Sequence, residues 1–239
     1  MTDDASRVLI LTNDDGTEEP GLAALFRAAE GLGRRRVVAP LGPQSSCSHA
    51  VTTNRPIRVE HRAEAWIAID GTPADCVRLA LHHFEPEADW VLSGINAGGN
   101  LGTDIHLSGT VAAAREAALH GVPGIALSHY LARGRQPDWR RAESWARRVL
   151  EILLAQVPEP GTFWNVNFPH PETGGREPSI VFCPVDRSPL PVRYEVEGDA
   201  VVYVGDYHAR ARVPQSDIDV CFGGDIAVSR IRVWAADEP

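Results

Sequence analysis

The chain has 239 residues and a formal net charge of −9 at pH 7, and all 23 of its basic residues are arginine. The absence of lysine excludes P-loop NTPases, protein kinases and enzymes that form a Schiff base, because each of these classes uses a lysine in its chemistry. The acidic balance argues against binding of nucleic acid polymers or membrane surfaces, since these partners need clustered positive charge.

Nothing in the sequence indicates export or membrane insertion. No segment approaches the roughly 20 apolar residues of a membrane-spanning helix. Residues 1–7 are acidic and lack the apolar stretch of a signal peptide. The cysteines at positions 47, 76, 183 and 221 contain no C-x-x-C pair, which favours free thiols in a reducing compartment. We therefore expect a cytoplasmic protein.

Short apolar strands alternate with helices over the first 130 residues. The predicted strands cover residues 7–12, 36–39, 51–53, 57–60, 66–70, 90–93 and 125–128. The predicted helices cover residues 21–32, 73–84 and 110–120. This alternation predicts right-handed βαβ units and an α/β fold, with a Rossmann-like, mostly parallel sheet flanked by helices.

The pattern changes after residue 130. Residues 138–156 carry apolar side chains at helical spacing and predict one amphipathic helix. Further strands are predicted at 162–168, at 180–183 and in a hairpin over 194–204 that turns at Gly198-Asp199.

The change of pattern is not a flexible linker, so we predict a single domain over residues 1–239. Within it, residues 1–130 form the Rossmann-like core. Residues 131–239 add a helix and a strand-rich C-terminal extension.

Two adjacent carboxylates, Asp14 and Asp15, follow the first predicted strand in the string Asn13-Asp14-Asp15-Gly16. Like charges at a strand end repel each other unless a cation lies between them, and oxygen ligands suit Mg²⁺ or Mn²⁺. The competing interpretation is a turn in which Asp15-Gly16 bonds its own backbone. This loop alone leaves both interpretations open.

Two later loops also carry polar residues that core packing would not select. Ser45 lies in a serine-rich loop after the second predicted core strand, a composition that is typical of loops in general. The glycine-rich loop after residue 93 contains Asn96 and Asn100. Their side chains offer carbonyl oxygens to a metal ion or amide groups to an anion.

Ser108-Gly109-Thr110 opens the next helix. Free backbone N–H groups and the positive end of the helix dipole make such a position a phosphate site, and capping by a hydroxyl is compatible with it. Loops after parallel strands meet at one edge of the sheet, so we expect these loops to converge. Acidic ligands beside an anion site are the components of metal-assisted phosphoryl transfer to water.

Other families with related patterns fit less well. Asn13 stands where haloacid-dehalogenase-type phosphatases carry the nucleophilic aspartate, and an amide cannot form the aspartyl-phosphate. The D-x-D-P-G-x-D-D pattern of calcium-dependent nucleoside hydrolases is absent, as is the G-x-G-x-x-G of dinucleotide-binding enzymes. The nine histidines show no zinc-binding spacing, and we assign none of them to catalysis.

Several motifs occur in a fixed order along the chain. They are N-D-D-G at 13–16, P-G at 20–21, V-V-A-P at 37–40 with Ser45 after it, G-T-P-x-D-C-V at 71–77, S-G-I-N-x-G-x-N-L-G…S-G-T-V-x-A-A-R-E at 93–116, and N-V-N-x-P at 165–169. Together they resemble the SurE family of survival-protein nucleotidases. The resemblance is dense over residues 7–130 and scattered afterwards.

This resemblance implies a cytoplasmic phosphomonoesterase that uses one divalent metal ion, Mg²⁺ or Mn²⁺, on nucleoside 5′- and 3′-monophosphates. Some members also trim short polyphosphate. The implied metal ligands are Asp14, Asp15, Ser45 and Asn96, and the two aspartates are the implied catalytic residues. Family members are homodimers or homotetramers that exchange C-terminal segments.

In this hypothesis the metal ion orients and activates a water molecule for attack on phosphorus. The expected phosphate ligands are Asn100, Ser108, Gly109 and Thr110. Asp14 is a candidate for the general base, which the sequence does not separate from metal ligation. Since no lysine can neutralise the phosphate, Arg115 is the candidate arginine for that task.

The chain departs from the family pattern at several positions. Residues 41–44 read Leu-Gly-Pro-Gln where an Asp-Arg pair is usual, Ser46 replaces a glycine, and Leu107 replaces an aromatic residue. The usual C-terminal strand motif is reduced to 228–231. The altered loop at 41–44 motivates an alternative, namely a non-catalytic nucleotide-binding or stress-regulatory protein on the same scaffold.

Overall fold

The computed structural model describes residues 7–170 and 175–234. The strands are β1 (Val8–Thr12), β2 (Arg34–Pro40), β3 (Val59–Ala63), β4 (Trp66–Ile69), β5 (Trp90–Ala97), β6 (Gly124–His129), β7 (Thr162–Phe168), β8 (Ile180–Phe182), β9 (Tyr194–Glu197), β10 (Ala200–Tyr203) and β11 (Ile226–Arg232). The helices are α1 (Pro20–Ala28), α2 (Pro73–Leu79), α3 (Gly109–Leu119), α4 (Trp139–Leu153) and α5 (Asp217–Phe222). A π-turn at Ala80–Phe84 continues α2, and 3₁₀ turns cover Gly102–His106 and Tyr207–Ala209.

The main sheet has nine strands in the order β3-β4-β2-β1-β5-β6-β7-β11-β8, while β9 and β10 form a separate hairpin. From β4 to β7 all neighbouring strands are parallel, whereas β3 and β11 run antiparallel to β4 and β7. The predicted fold class, an α/β protein with a mostly parallel sheet, is therefore confirmed. The parallel strands all end at one edge of the sheet, which carries the loops with the predicted site residues.

The two faces of the sheet are covered by different helices. Helices α1 and α4 pack on one face, around Leu9, Leu92 and Val166, and α2 and α3 pack on the other, around Ile10 and Val91. The central strands are apolar on both sides, as expected for parallel strands buried between helix layers.

The α4 connection has the opposite hand to the others. Connections β5-α3-β6 and β6-α4-β7 step in the same direction along the sheet, yet their helices lie on opposite faces. Connection β1-α1-β2 steps in the opposite direction along the sheet, and its helix lies on the same face as α4. A reversed step on the reversed face gives the same handedness as the β5-α3-β6 connection. The right-handed rule, which we predicted for the units of the first 130 residues, does not extend to the α4 connection. Because α3 already covers Ala126 and Phe163 of β6 and β7, the opposite face is the one left for α4.

Three predicted elements differ from the observed ones. Residues 51–53 form no strand, because the backbone N–H and hydroxyl of Thr52 donate to the Asp75 carboxylate instead of a neighbouring strand. Strand β5 runs on to Ala97, so Asn96 lies in the strand and not in the loop. Helix α1 ends at Ala28, because the chain must turn back for Arg34 to pair with β1.

The C-terminal strand is longer than its reduced motif at 228–231 suggests. Strand β11 spans Ile226–Arg232 and pairs with β7 from Ala227 to Arg232 and with β8 over its first three residues. The predicted absence of a signal peptide concerns residues that lie almost entirely outside the described ranges. Within those ranges, no helix is long and apolar enough to cross a membrane. The single domain over 1–239 stays a prediction.

Gly21 lets α1 approach the end of β5. A Cβ atom at this position would lie 2.0 Å from the carbonyl oxygen of Ile95 and 3.0 Å from the ring of Trp139. No side chain fits such a gap, so a glycine at the start of α1 is required for the helix to pack beside the loop edge of the sheet.

We expect Gly21→Ala to lower the free energy of unfolding by about 1–3 kcal/mol, because the added methyl must displace the Ile95 backbone. Gly42→Ala is the matched control, since a Cβ atom there meets nothing within 4 Å. Denaturant unfolding of both variants measures the difference. Equal stability of the two variants would contradict the close packing of α1 on β5.

Candidate active site

The predicted loops meet at the carboxyl edge of the sheet. The loop after β2 is joined to the loop after β1 by hydrogen bonds from Gln44 N to Asp14 O (2.7 Å) and from Thr17 N to Pro40 O (2.9 Å). It is joined to the segment before α3 by Ser48, whose backbone N–H donates to Leu107 O (3.2 Å) and whose hydroxyl donates to His106 O (2.7 Å). Backbone bonds thus hold the three loops in one cluster.

The turn after β1 is closed by Asn13 and not by the aspartates. Its Nδ2 donates to Gly16 O at 2.9 Å, and its Oδ1 accepts from Gly16 N at 3.1 Å. Asn13 is almost fully buried, so these bonds satisfy its amide. The carboxylates of Asp14 and Asp15 are therefore not used to form the turn.

Asp14 lies against the first turn of α3. Its side chain is buried and its Oδ1 accepts from the Thr110 hydroxyl at 2.5 Å. Burial raises the pKa of the Asp14 carboxyl, while the Thr110 hydroxyl and the backbone N–H groups of Thr110 and Gly109 oppose the shift. A Cβ on Gly109 would lie 2.8 Å from Cβ of Asp14 and 3.0 Å from Sγ of Cys47, so only glycine permits this approach.

Asp15 is half-buried and carries uncompensated charge. Burial and the neighbouring charges of Asp14 and Glu19 raise its pKa to about 6, against a backbone hydrogen bond from Ala97. Among the described residues, no arginine or histidine nitrogen lies within 4.0 Å of either carboxylate. Two adjacent buried carboxylates without a protein cation fit a divalent metal ion, which supplies the missing positive charge.

The two other predicted metal ligands lie on the same loop edge. Nδ2 of Asn96 donates to Gly98 O at 2.9 Å, which leaves its Oδ1 as the atom for a metal ion. Ser45 is exposed on the loop after β2 and directly follows Gln44, whose backbone N–H donates to Asp14 O. No three His, Cys, Asp or Glu side chains gather as a metal site in the described part of the chain. The predicted set contains only two residues of these types.

Two of the predicted phosphate ligands have structural partners. Nδ2 of Asn100 donates to Ser128 Oγ at 2.7 Å, and Oγ of Ser108 accepts from Val111 N at 3.1 Å as the cap of α3. Asn100 is buried. The hydrogen-bond donors that remain for an anion are therefore the backbone N–H groups at the start of α3. These N–H groups already face the Asp14 carboxylate.

The N-V-N motif of β7 holds the glycine-rich loop in place. The backbone N–H of Asn100 donates to Oδ1 of Asn167 at 2.8 Å, and the Asn100 carbonyl accepts from Nδ2 of Asn165 (2.8 Å) and of Asn167 (3.0 Å). All three asparagines are buried. The motif is visible in the sequence, but nothing there indicates that its side-chain amides hydrogen-bond to a loop some 65 residues earlier.

Sequence reasoning missed a buried arginine that supports the same loop. Nη1 of Arg210 donates to Asp104 at 2.7 Å and its Nη2 to Leu101 O at 3.3 Å, and the Tyr207 hydroxyl donates to Asp104 at 3.0 Å. Only 2% of the Arg210 side chain is exposed. No local pattern around residue 210 distinguishes it from the surface arginines, because its partners are distant in sequence.

Arg115 does not face the start of α3. Its Nη2 donates to Ile105 O at 2.7 Å, so it supports the 3₁₀ turn before the helix. The next residue, Glu116, is buried and contacts His49 (2.5 Å), Arg78 (2.5 Å) and His120 (2.9 Å). Burial raises the pKa of Glu116, but these hydrogen bonds outweigh it and lower the pKa to about 2. His49 is thus tied to α3 and not directed at the carboxylates.

Comparison with known proteins decides the family. The sequence profile described as Survival protein SurE matches residues 9–186. The chain belongs to the SurE family. It is 51% identical over 225 residues to a candidate 5′-nucleotidase of Nostoc sp., covering 94% of this chain and 99% of that protein. It is 37% identical to the 5′-nucleotidase SurE of Paramagnetospirillum magneticum, covering 96% and 91%.

The SurE fold is also seen in a solved relative. The crystal structure of the SurE protein from Aquifex aeolicus superimposes with a TM-score of 0.83 at 28% identity, covering 96% of this chain and 95% of the other. Ser46 of this SurE protein adopts φ +57°, a left-handed conformation that glycine adopts freely. This explains why a glycine is usual at that position.

We expect millimolar Mn²⁺ or Mg²⁺ to raise the melting temperature of this SurE protein by ~5 °C or more when free metal exceeds its Kd about 100-fold. Asp15→Asn removes one ligand charge and is expected to abolish most of the rise. Below pH 6 the rise is expected to shrink in the wild type, because the pKa of Asp15 is about 6 and protonation competes with the metal.

Asp70→Asn is the matched control, since Asp70 is half-exposed and its carboxylate already pairs with Arg55. It is expected to keep the full metal-dependent rise. A rise of the same size in Asp15→Asn and Asp70→Asn would refute the metal site at Asp15.

Proposed function

We propose that this SurE protein is a divalent-metal-dependent phosphomonoesterase that hydrolyses nucleoside 5′- and 3′-monophosphates to nucleoside and phosphate, with short polyphosphate as a further substrate. The observation that carries this proposal is the pair Asp14 and Asp15. Both carboxylates lie at the carboxyl edge of the sheet beside the first turn of α3, and no cationic side chain of the described residues pairs with them. The names of the relatives, 5′-nucleotidases, support the substrate class.

The residues that would hold one Mg²⁺ or Mn²⁺ ion are Asp14, Asp15, Ser45 and Asn96. When bound, such an ion polarises the phosphoryl oxygens and lowers the pKa of a coordinated water. The chain contributes the orientation of these ligands. Thr110 fixes one oxygen of Asp14, and the Gly98 carbonyl fixes the amide of Asn96.

The phosphate oxygens are held at the start of α3 in this proposal. The backbone N–H groups of Gly109 and Thr110 supply the donors, and Ser108 keeps them in place by capping the helix. The side-chain amide of Asn100 donates a hydrogen bond to Ser128. In this proposal it exchanges that hydrogen bond for one to a phosphate oxygen. Asp14 is also the candidate general base in this proposal.

One contact of the altered loop supports the catalytic proposal over the non-catalytic alternative. That alternative rests on the altered loop at residues 41–44. In the structure, Gln44 N still donates to Asp14 O at 2.7 Å, so the loop holds the carboxylate turn despite its altered sequence.

Phosphate release from AMP with Mn²⁺ or Mg²⁺, repeated with excess chelator, tests the proposal. We expect Asp14→Asn to lower kcat/KM by on the order of 100-fold or more, since loss of a charged ligand removes several kcal/mol of transition-state stabilisation. Asp70→Asn should retain wild-type activity. Undiminished release in chelator would rule out the metal mechanism, and saturable AMP binding without release under any divalent ion would favour the non-catalytic alternative.

We also propose that the protein is a homodimer or homotetramer joined through its C-terminal extension. The hairpin β9–β10 stands apart from the main sheet and presents apolar side chains on one face. The exposed fractions are 76% for Val196 and 64% for its cross-strand partner Val201, and Tyr194 and Tyr203 pair beside them. Such a surface is covered in most stable proteins by another chain.

Light scattering after size exclusion is expected to give a dimer or tetramer for the wild type. The double variant Val196→Asp/Val201→Asp should shift the mass toward the monomer, because it places charge in the apolar face. Val157→Asp is the control, as Val157 is 95% exposed at the end of α4 and outside the hairpin. A monomeric wild type would overturn the proposed assembly.

The location in the cytoplasm stays a proposal. It is supported by the thiols of Cys47, Cys76, Cys183 and Cys221, which are all free. A reducing compartment suits unpaired cysteines.

A further inference from the structure

A second cavity opens at the same edge of the sheet, on the face covered by α4. Its volume is about 270 Å³, equal to roughly nine water molecules. It is lined by His129 at the end of β6, by His170 after β7, by Arg135 and Asp138 before α4, and by Arg141 and Trp145 of α4. None of these residues belongs to the proposed metal or phosphate site.

His129 is buried in this cavity and is 1% exposed. Among the described residues, neither its Nδ1 nor its Nε2 has a partner at normal hydrogen-bond geometry. Its ring stacks on that of His170 at 5.4 Å and 12°, and meets the edge of Trp145 at 6.0 Å. The Nδ1 of His170 is also buried and has no partner within the described ranges. Buried polar atoms normally find a partner, so these nitrogens indicate a polar ligand.

The charge of the lining selects an anion. Two arginines face a single carboxylate, Asp138, which accepts from Arg141 N at 3.1 Å and lies 3.7 Å from Nε of Arg141, so the lining keeps a net positive charge. Arg135 has no acidic group within 4.0 Å in the described part of the chain. Burial lowers the pKa of His129 to about 4, against a smaller effect of the Phe168 carbonyl, so its ring is neutral at pH 7 and offers one N–H donor.

We propose that this cavity is an oxyanion site, which binds a phosphoryl group between the guanidinium groups of Arg135 and Arg141 and the ring edges of His129 and His170. Guanidinium forks match the oxygens of phosphate, and the imidazole nitrogens supply the deeper contacts. The occupant is either a free phosphate ion or a second phosphoryl group of a nucleotide.

The cavity adjoins the candidate active site through strand β5. His129 is the register partner of Ala97, and Gly98 forms a backbone bridge to it. The backbone N–H of Ala97 is the same group that bonds to Asp15. A phosphoryl group in the cavity therefore lies across the end of β5 from the carboxylates. The proposal stands on the cavity alone and does not depend on catalysis at Asp14.

The test is a titration of the chelator-treated protein with inorganic phosphate, followed through the ¹⁵N signals of the histidine rings. We expect the signals of His129 and His170 to shift with saturation at millimolar phosphate. Arg135→Gln/Arg141→Gln should weaken the apparent affinity about tenfold or more, because two charge-assisted contacts are lost. Arg140→Gln is the matched control on the same helix, directed into a different groove beside Glu143, and should bind as the wild type does.

A parallel titration distinguishes the two sources. Tighter binding of a nucleoside 3′,5′-bisphosphate than of phosphate identifies the second phosphoryl group of a nucleotide as the occupant, and equal or weaker binding identifies free phosphate. Ring signals that do not respond to either probe, or equal weakening in Arg140→Gln, would overturn the proposal. The titration is made without metal and measures no turnover. A failed AMP hydrolysis assay would therefore not change its result, and a failed titration would not change the result of the hydrolysis assay.

Discussion

The carboxylate of Asp14 is buried against the first turn of α3, and the arrangement of the loop edge follows from that contact. A buried charge must be stabilised by hydrogen bonds or by an opposite charge. Thr110 and the backbone N–H groups of the helix supply the hydrogen bonds, and glycine at position 109 allows the helix to come close enough. The loop after β2 is then joined to the turn after β1 through Gln44 and to the segment before α3 through Ser48.

The basic side chains are used to support these loops and not to fill the site. Arg210 and Arg115 hold the 3₁₀ turn before α3 from two sides, through Asp104 and through the carbonyl of Ile105. Asp14 and Asp15 are left without an arginine partner, within the described residues, although the chain contains 23 arginines. A site with this charge distribution favours a cation first and a phosphate second, because the cation must offset the carboxylates before an anion can approach.

The opposite hand of the α4 connection has a consequence at the same edge. It places the start of α4 beside the ends of β6 and β7, on the face away from α3. The cavity with His129 and Arg141 exists because of that placement. The ends of β5 and β6 thus separate two polar sites, one anionic at Asp14 and Asp15 and one cationic under α4.

The sequence by itself determined the fold class, the capped helix starts and the loops that carry polar residues. These features depend on local rules: apolar periodicity, a cap at Thr72 or Ser108, and turn residues after a strand. It also determined the family, because the motifs around Asp14, Ser45 and Asn96 recur in a fixed order. It could not predict that Asn13 closes the turn and so releases both carboxylates, since turn formation by any of the three side chains is locally plausible.

Only the tertiary structure decided which polar residues hold the loops in place and which remain available to a ligand. Asn100 pairs with Ser128 and the N-V-N amides, Arg115 turns away from the helix start, and His129 is left unpartnered in a cavity. Each of these outcomes depends on strand order and on register between segments that are distant along the chain. The hand of the α4 connection is of the same kind, because it was settled by which face α3 had already covered. Local sequence contains no information on such pairings, so long-range packing alone determines them.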